Sequence, residues 1–224
     1  MDSVFVTGGT GYIGRPLIAA LLERRCAVHA LVRLGSAHNL PAGAAAVVGD
    51  ALDGATFAAA IPRGATIVHL VGTPHPNPSK AAEFERVDLQ SIRATTTAAR
   101  EAGAAHIVYV SVAHPAPVMR AYIAARSAGE SLVRATGIPA TILRPWYVLG
   151  PGHRWPYALV PVYALLRLLP RTRDTARRLG LVTRTQMVAA LVHAVANPPS
   201  EVRIVEVPEI AARSTRRPVQ EWTA

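Results

Sequence analysis

The residues with the most specific chemistry form a glycine-rich run near the start of the chain. Residues 7–14 read TGGTGYIG, and they lie between an apolar run at 3–7 and a predicted helix at 12–25. In this strand–turn–helix context, the first pair of glycines permits a tight turn. Gly11 then lets the backbone approach a pyrophosphate, and Gly14 lets the helix pack closely on the sheet. Because helix N-termini hold anions, the run predicts a dinucleotide site rather than an ordinary glycine turn.

The position that distinguishes NAD from NADP carries a cation. The second predicted strand, 27–32, ends at Arg33, and no acidic residue stands at its tip to hold a ribose 2′-hydroxyl. A guanidinium can bind a 2′-phosphate through two hydrogen bonds. We therefore predict NADP as the cofactor. NAD is the alternative, because Arg33 is one of 23 arginines and can lie on a solvated loop.

The elements that must position this turn alternate between apolar strands and alanine-rich helices. Strands are predicted at 3–7, 27–32, 46–48, 66–71, 106–111, 140–143 and 202–207, and helices at 12–25, 55–61, 81–102, 118–136 and 186–196, the last as a surface helix. Strands that are apolar throughout indicate a parallel sheet covered on both faces, with a ligand crevice at their carboxyl ends. The predicted fold class is α/β, a doubly wound parallel sheet with a small C-terminal cap.

The predicted organisation has three parts. Residues 1–150 form the dinucleotide-binding core, residues 151–210 a substrate cap integrated with that core, and residues 211–224 a flexible tail. Residues 211–224 are predicted to be a tail because their end contains few apolar side chains that a core could bury.

Composition narrows the classes of function. Half of the residues are hydrophobic, and 24 basic against 14 acidic side chains give a net charge of +10. The single cysteine, Cys26, excludes a disulfide framework and a cysteine-built zinc site, and no cluster has metal-ligand spacing. The basic residues lack interleaved aromatic residues and any known reading module, so no nucleic-acid partner is expected. The first residues lack the pattern of a secretory signal, which favours a cytoplasmic location.

Further motifs follow the glycine-rich run in a fixed order. They are HLVG at 69–72, VYVS at 108–111, RPWYVLGPG at 144–152 and a late helical segment at 183–196. With TGGTGYIG, they resemble the short-chain dehydrogenase/reductase superfamily over about residues 3–210. The resemblance is to its extended and atypical branches, which include NAD-dependent epimerases and dehydratases of nucleotide sugars, NmrA-like regulators and the 39-kDa-type subunit of respiratory complex I. It implies a Rossmann fold that binds NAD(P).

The resemblance also implies which residues bind the dinucleotide. Asp50 and Ala51 resemble the family's adenine-binding corner, although Asp50 can instead cap a helix, and Arg15 resembles a phosphate-facing position. The implied cofactor-binding set is Gly8, Thr10, Gly11, Tyr12, Ile13, Gly14, Arg33, Asp50, Ala51, Leu70, Val71, Gly72, Tyr122, Arg126 and Pro145.

Catalytic relatives use a serine to polarise a carbonyl, and a tyrosine, helped by a lysine four residues later, to exchange the proton. This chain offers Ser111, Tyr122 and Arg126 at the matching positions. Residues four apart share one helix face, and a cation beside a phenol stabilises its deprotonated form. Arginine keeps the charge, but it is bulkier and does not release its proton.

Because Arg126 replaces the lysine of catalytic relatives, two functions remain open. The first is an oxidoreductase or epimerase-like enzyme that transfers hydride to or from a carbonyl or hydroxyl of a small, lipophilic substrate. The alternative is a non-catalytic NAD(P)H-binding redox sensor, assembly factor or respiratory-complex subunit. Tyr122 can then be an ordinary half-buried helix residue. Of these two functions, we favour the enzyme.

Residues 155–178 combine an apolar stretch with a following arginine-rich stretch. The segment is too short and too often interrupted by proline to span a bilayer. It can cover a lipophilic substrate as a lid, or contact an anionic membrane surface or a respiratory complex. Contact with a membrane surface or a respiratory complex would place the protein peripherally on the inner face of the membrane.

Overall fold

The computed structural model describes residues 2–116, 118–150 and 178–213. Its strands are β1 (Ser3–Thr7), β2 (Ala27–Val32), β3 (Ala45–Val48), β4 (Thr66–His69), β5 (His106–Val110), β6 (Ala140–Arg144), β7 (Tyr147–Leu149), β8 (Leu181–Thr183) and β9 (Val202–Glu206). Seven of them form one sheet in the order β3-β2-β1-β4-β5-β6-β9, and every neighbouring pair is parallel. The predicted doubly wound sheet is therefore confirmed, and the fold is Rossmann-like. Strands β7 and β8 form a separate parallel pair, which the sequence analysis did not predict.

The helices are α1 (Gly14–Glu23), α2 (Ala81–Glu83), α3 (Gln90–Ala102), α4 (Arg120–Ala135), α5 (Arg184–Ala196) and α6 (Val207–Ala212). A π-helical turn, Phe84–Leu89, joins α2 to α3, so the helix predicted at 81–102 is not α-helical throughout. Short 3₁₀ turns occupy Ala37–Asn39, Gly54–Thr56, Ala58–Ala60 and Pro78–Lys80.

The core lies in two layers, one on each face of the main sheet. Val4 and Val6 of β1 belong to the layer beneath α1 and α5, whereas Phe5 between them belongs to the layer beneath α3. Successive strand residues point to opposite faces, so a strand buried on both sides is apolar at most of its positions. This is why the uninterrupted apolar runs in the sequence predict the sheet correctly.

Two local predictions are wrong for identifiable reasons. The helix predicted at 55–61 is a pair of 3₁₀ turns, since Phe57 between them has a non-helical backbone and buries its ring in the core. The helix predicted at the surface, 186–196, is α5, which has seven buried residues. A helix that is apolar on most of its sides packs inside a protein rather than on its surface.

Part of the region assigned to the integrated cap contributes a strand to the main sheet. Strand β9 pairs with β6 from Ala140 opposite Val202 to Arg144 opposite Glu206, and α5 covers the same sheet. Ala211 and Ala212, which the sequence analysis placed in the tail, end helix α6. Residues 155–177 of the proposed lid or membrane segment lie outside the described residues, as do the cap and tail residues at 151–154 and 214–224. In the parts of the chain that the structure describes, no helix has the length and apolarity needed to cross a bilayer.

Candidate functional site

The glycine-rich run forms a tight turn between β1 and α1. Gly8 has a φ of +76°, in the left-handed region, and its carbonyl accepts a hydrogen bond of 3.0 Å from the N–H of Gly11. A Cβ on Gly14 would collide with the carbonyl oxygen of Gly8 and would lie 2.7 Å from that of Gly9. The turn therefore depends on the absence of a side chain at Gly14. The reason is contact with the turn's own backbone, whereas the sequence analysis predicts close packing of the helix on the sheet.

The same turn provides a backbone cradle of the kind that holds a pyrophosphate. The N–H groups in the first turn of a helix have no partner within the helix, and they point toward a ligand at its N-terminus. The first turn of α1 contains no acidic side chain that would repel an anion, and Arg15 in that turn is exposed. A dinucleotide pyrophosphate fits this cradle.

The residues predicted for the adenosine half follow the neighbouring strands β2 and β3. Arg33 is exposed directly after β2. Asp50 and Ala51 lie beyond β3, where the Asp50 carboxylate accepts a hydrogen bond of 2.9 Å from the N–H of Leu52. Asp50 therefore organises its own loop, which is close to the capping alternative of the sequence analysis, and its carboxylate stands at the exposed edge of the sheet.

A cleft of about 190 Å³ opens where β4, β5 and β6 end. Of the predicted residues, it brings together Ile13, Leu70, Gly72, Ser111, Tyr122, Arg126 and Pro145, and it adds Thr73, Val110, Val112, Trp146 and Val148. The remaining predicted residues are outside its lining: Gly8, Thr10, Gly11, Tyr12 and Gly14 in the turn, Arg33, Asp50 and Ala51 at the sheet edge, and Val71 beside Leu70. The lining includes the apolar side chains of Leu70, Trp146 and Val148 and the polar side chains of Ser111, Tyr122 and Arg126.

Tyr122 and Arg126 lie one helical turn apart on α4, and both line the cleft. The Arg126 guanidinium lies 5.3 Å from the centre of the Tyr122 ring, and it donates a hydrogen bond of 3.0 Å to the carbonyl of Val110. Burial alone would lower the pKa of Arg126, but Tyr122, Tyr109 and Asp88 raise it above the ordinary value of arginine. The cation is therefore permanent and fixed beside the phenol.

Asp88 holds this arginine, and the sequence analysis missed it. One carboxylate oxygen lies 2.6 Å from the Arg126 Nη2, and the other accepts hydrogen bonds of 3.0 Å and 2.6 Å from the Thr73 N–H and hydroxyl. Asp88 is fully buried and projects from the π-helical turn. Gly72 also belongs to this arrangement, because a Cβ there would collide with the Arg126 guanidinium.

Ser111 lines the cleft at the end of β5, but its hydroxyl is already engaged. It donates a hydrogen bond of 2.6 Å to Glu130, a second residue that the sequence analysis missed. Arg144 donates to both Glu130 oxygens, at 2.9 Å and 2.5 Å, and His114 lies 3.4 Å from one of them. Burial opposes ionisation of Glu130, but the hydrogen bonds from Arg144 and Ser111 lower its pKa overall.

A signal for Glu130 was present in the sequence. Tyr122, Arg126 and Glu130 are spaced four residues apart, so all three share one face of α4. Asp88 had no comparable signal, because the π-helical turn shifts the face on which it lies.

A neutral histidine lies under the cleft, in the HLVG motif. His69 is fully buried, and its Nδ1 lies within 3.0 Å of the hydroxyls of Thr7 and Thr95. Burial, with a smaller effect of Arg126, lowers the pKa of His69 to about 3. His69 therefore connects β4 to β1 and α3 as an uncharged residue.

Comparison with known proteins places this geometry in a family. A family model described as NAD(P)H-binding matches residues 8–198. A ceramide reductase of Caulobacter vibrioides is 33% identical over 182 residues, which cover 78% of this chain and 55% of that protein. A 4-hydroxy-2-methyl-3-oxo-4-farnesyl-3,4-dihydroquinoline-1-oxide ketoreductase of Stigmatella aurantiaca is 29% identical over 168 residues, covering 65% of this chain and 50% of that one. The chain thus spans about half the length of these curated relatives.

Solved structures share the fold at lower sequence identity. The Bordetella bronchiseptica enzyme WbmH in complex with NAD⁺ has a TM-score of 0.68 at 19% identity, covering 92% of this chain and 75% of that one. The UDP-glucuronic acid 4-epimerase of Bacillus cereus in complex with NAD has a TM-score of 0.66 at 18% identity, covering 91% and 77%. These likenesses confirm the Rossmann architecture predicted from the sequence.

Proposed function

This chain belongs to the NAD(P)H-binding family, and we propose that it is an NADPH-dependent reductase of a carbonyl group on a small lipophilic molecule. One observation carries the proposal: Tyr122 and a fixed cation, Arg126, line a cleft with an apolar side, next to the glycine-rich turn. The names of two relatives support it, since one is a ceramide reductase and the other a ketoreductase of a farnesylated compound. Both names describe reductions of molecules with long apolar chains.

The dinucleotide is proposed to lie across the carboxyl ends of β1–β5. Backbone N–H groups between Gly8 and Gly14 hold the pyrophosphate, apart from that of Gly11, which donates to the Gly8 carbonyl. Asp50 and Ala51 face the adenine. Arg33 pairs with a 2′-phosphate, which favours NADP over NAD. Thr10, Tyr12 and Ile13 complete the turn, and Leu70, Val71, Gly72, Arg126 and Pro145 contact the nicotinamide half.

When it is bound, the reduced nicotinamide supplies a hydride. The chain's own part is to supply the proton: Tyr122 donates its phenolic proton to the carbonyl oxygen of the substrate. The nearby Arg126 guanidinium stabilises the phenolate that this leaves, without giving up a proton of its own. Asp88 and Gly72 keep the guanidinium in place, so its contribution is electrostatic and positional.

A second candidate function is non-catalytic binding of NAD(P)H, as in a redox sensor or a respiratory-complex subunit. The observation that favours it is that two of the three predicted catalytic groups already have partners. Ser111 donates to Glu130, and Arg126 is paired with Asp88. A protein that only binds the dinucleotide needs neither group free.

The test is to titrate the purified chain with NADPH by calorimetry and then to follow NADPH oxidation at 340 nm with medium-chain ketones and quinones. Binding together with ketone-dependent oxidation supports the reductase. Binding without any oxidation contradicts it and supports the non-catalytic function. If neither NADPH nor NADH binds, both functions are wrong.

Arg33→Ala is expected to weaken NADPH binding about tenfold and to leave NADH binding almost unchanged. The reason is that an exposed guanidinium–phosphate pair contributes on the order of 1.4 kcal/mol, and NADH has no 2′-phosphate. Calorimetry with both dinucleotides measures the ratio. Arg100→Ala, at an exposed arginine on α3, is the matched control for loss of one positive charge. Equal weakening of both dinucleotides would contradict the assigned role of Arg33.

A further inference from the structure

The hydroxyl of Ser111 has a fixed direction, set by Glu130. Ser111 and Glu130 are only 3% and 4% exposed, and the hydrogen bond between them is 2.6 Å long. A serine hydroxyl has one proton to donate and two lone pairs that accept. Because the proton is directed at Glu130, only acceptor capacity remains for a molecule in the cleft.

The Glu130 carboxylate does not donate a hydrogen bond to Ser111, because its surroundings keep it ionised. Arg144 donates to both of its oxygens, and the second amino group of Arg144 lies 3.0 Å from Glu206. Strands β6 and β9 fix this arrangement, since Arg144 and Glu206 lie directly opposite each other in the sheet. His114 adds a further possible donor at 3.4 Å. Every described group that faces the Glu130 carboxylate is a donor or a cation, which makes Glu130 an acceptor only.

We propose that Ser111 accepts a hydrogen bond from the ligand, and that the substrates are ketones carrying a hydroxyl or amide N–H close to the reacting carbonyl. The inference rests on the proposed reductase function. Tyr122 then holds the carbonyl oxygen as the donor, and Ser111 holds the neighbouring hydroxyl or N–H as the acceptor. Glu130 is a positioning residue that acts through Ser111. This assignment differs from the expectation that Ser111 polarises the carbonyl by donating to it.

The selectivity has a physical basis in the buried position of Ser111. A ligand that offers only an acceptor at this point, such as an ether oxygen, would place two sets of lone pairs against each other. A site built to pair with a hydroxyl discriminates strongly against an analogue that lacks it, because a buried polar group then loses its partner. The apolar lining residues Trp146 and Val148 remain available to an aliphatic chain.

The test uses binding to the NADP⁺ complex, in which a ketone cannot be reduced. Calorimetry compares 1-hydroxy-2-octanone and 4-hydroxy-2-octanone with their O-methyl ethers and with 2-octanone. At least one hydroxy ketone is expected to bind about tenfold more tightly than both its ether and 2-octanone, a difference of about 1.4 kcal/mol. The comparison with 2-octanone controls for size, because it is smaller than either derivative.

Ser111→Ala is expected to reduce this preference to less than threefold, by weakening the hydroxy ketone alone. Equal binding of hydroxy ketones and ethers, or a preference that Ser111→Ala leaves intact, would overturn the assignment of Ser111. If the protein reduces ketones normally but shows no preference for hydroxy ketones over their ethers, the Ser111 assignment is wrong and the reductase function stands. Conversely, the preference without any NADPH oxidation leaves the Ser111 assignment standing and removes the reductase function. If none of the ketones binds, both are wrong.

Discussion

Tyr122→Phe is expected to lower the rate of NADPH-dependent ketone reduction at least a hundredfold while changing the NADPH dissociation constant by less than threefold. A positioned general acid contributes roughly 10²- to 10⁴-fold to a rate, and the substitution removes only the proton donor. The comparison requires steady-state kcat/KM for the ketone and calorimetry for NADPH. Together these two measurements separate loss of the chemical step from loss of binding.

The contacts around Tyr122 involve its ring, so Tyr122→Phe removes the hydroxyl without removing them. Its ring packs against Phe84, with ring centres 5.0 Å apart, and under the Arg126 guanidinium at 5.3 Å. Phenylalanine keeps both contacts, so α4 and the buried arginine keep their places. The loss of rate then reports the hydroxyl itself rather than a rearranged cleft.

Tyr109→Phe is the matched control for Tyr122→Phe. Tyr109 is a fully buried residue of β5 that lies outside the cleft lining, and burial raises its pKa to about 12 despite the opposing effect of Arg126. Loss of its hydroxyl is expected to change the rate by less than about threefold, because its hydrogen bond to the Arg126 carbonyl is long, at 3.4 Å, and because Asp88 and the Val110 carbonyl still hold the Arg126 guanidinium. If the Tyr122 and Tyr109 variants lose equal activity, Tyr122 is not the proton donor.

The features that the sequence predicts well are those that local chemistry determines. The central strands are mostly apolar because both faces of the sheet are covered, so their parallel pairing follows from the pattern. The turn at 7–14 is predicted because its backbone geometry excludes side chains, as Gly14 demonstrates. Tyr122 and Arg126 are placed together because residues four apart on a helix are neighbours.

The features that the sequence missed depend on contacts between distant segments. Asp88 meets Thr73 and Arg126 only after a π-helical turn has rotated it into the core. Glu130 meets Ser111 and Arg144 only once α4 packs beside β5 and β6. Helix α5 differs, because its own residues are apolar on most sides of the helix, and the prediction of a surface position does not use that pattern. For Asp88 and Glu130, the tertiary environment rather than the local pattern decides the role.

Asp88→Ala is expected to lower the free energy of unfolding by about 3–5 kcal/mol, the cost of leaving a buried charge without its partner. Arg126 is 5% exposed and Asp88 is fully buried, so water cannot replace the lost carboxylate. The Thr73 hydroxyl and N–H lose their acceptor in the same step. Urea unfolding at neutral pH, with the midpoint and slope fitted together, measures the change. Asp53→Ala, at an exposed capping residue, is the control and is expected to cost about 1 kcal/mol.

The double variant Asp88→Ala/Arg126→Met separates the two possible origins of this loss. If the cost comes from the unpaired guanidinium, removing that charge as well makes the double variant more stable than Asp88→Ala alone. If the cost came from the lost carboxylate contacts to Thr73, the second substitution would add to the first. The double variant is also expected to bind NADPH through the turn and Arg33, although it loses the contact of Arg126 with the nicotinamide half. It is expected to lack ketone reduction, because the phenolate of Tyr122 then has no neighbouring cation. A fully active double variant would show that the Asp88–Arg126 pair serves the fold and not the reaction.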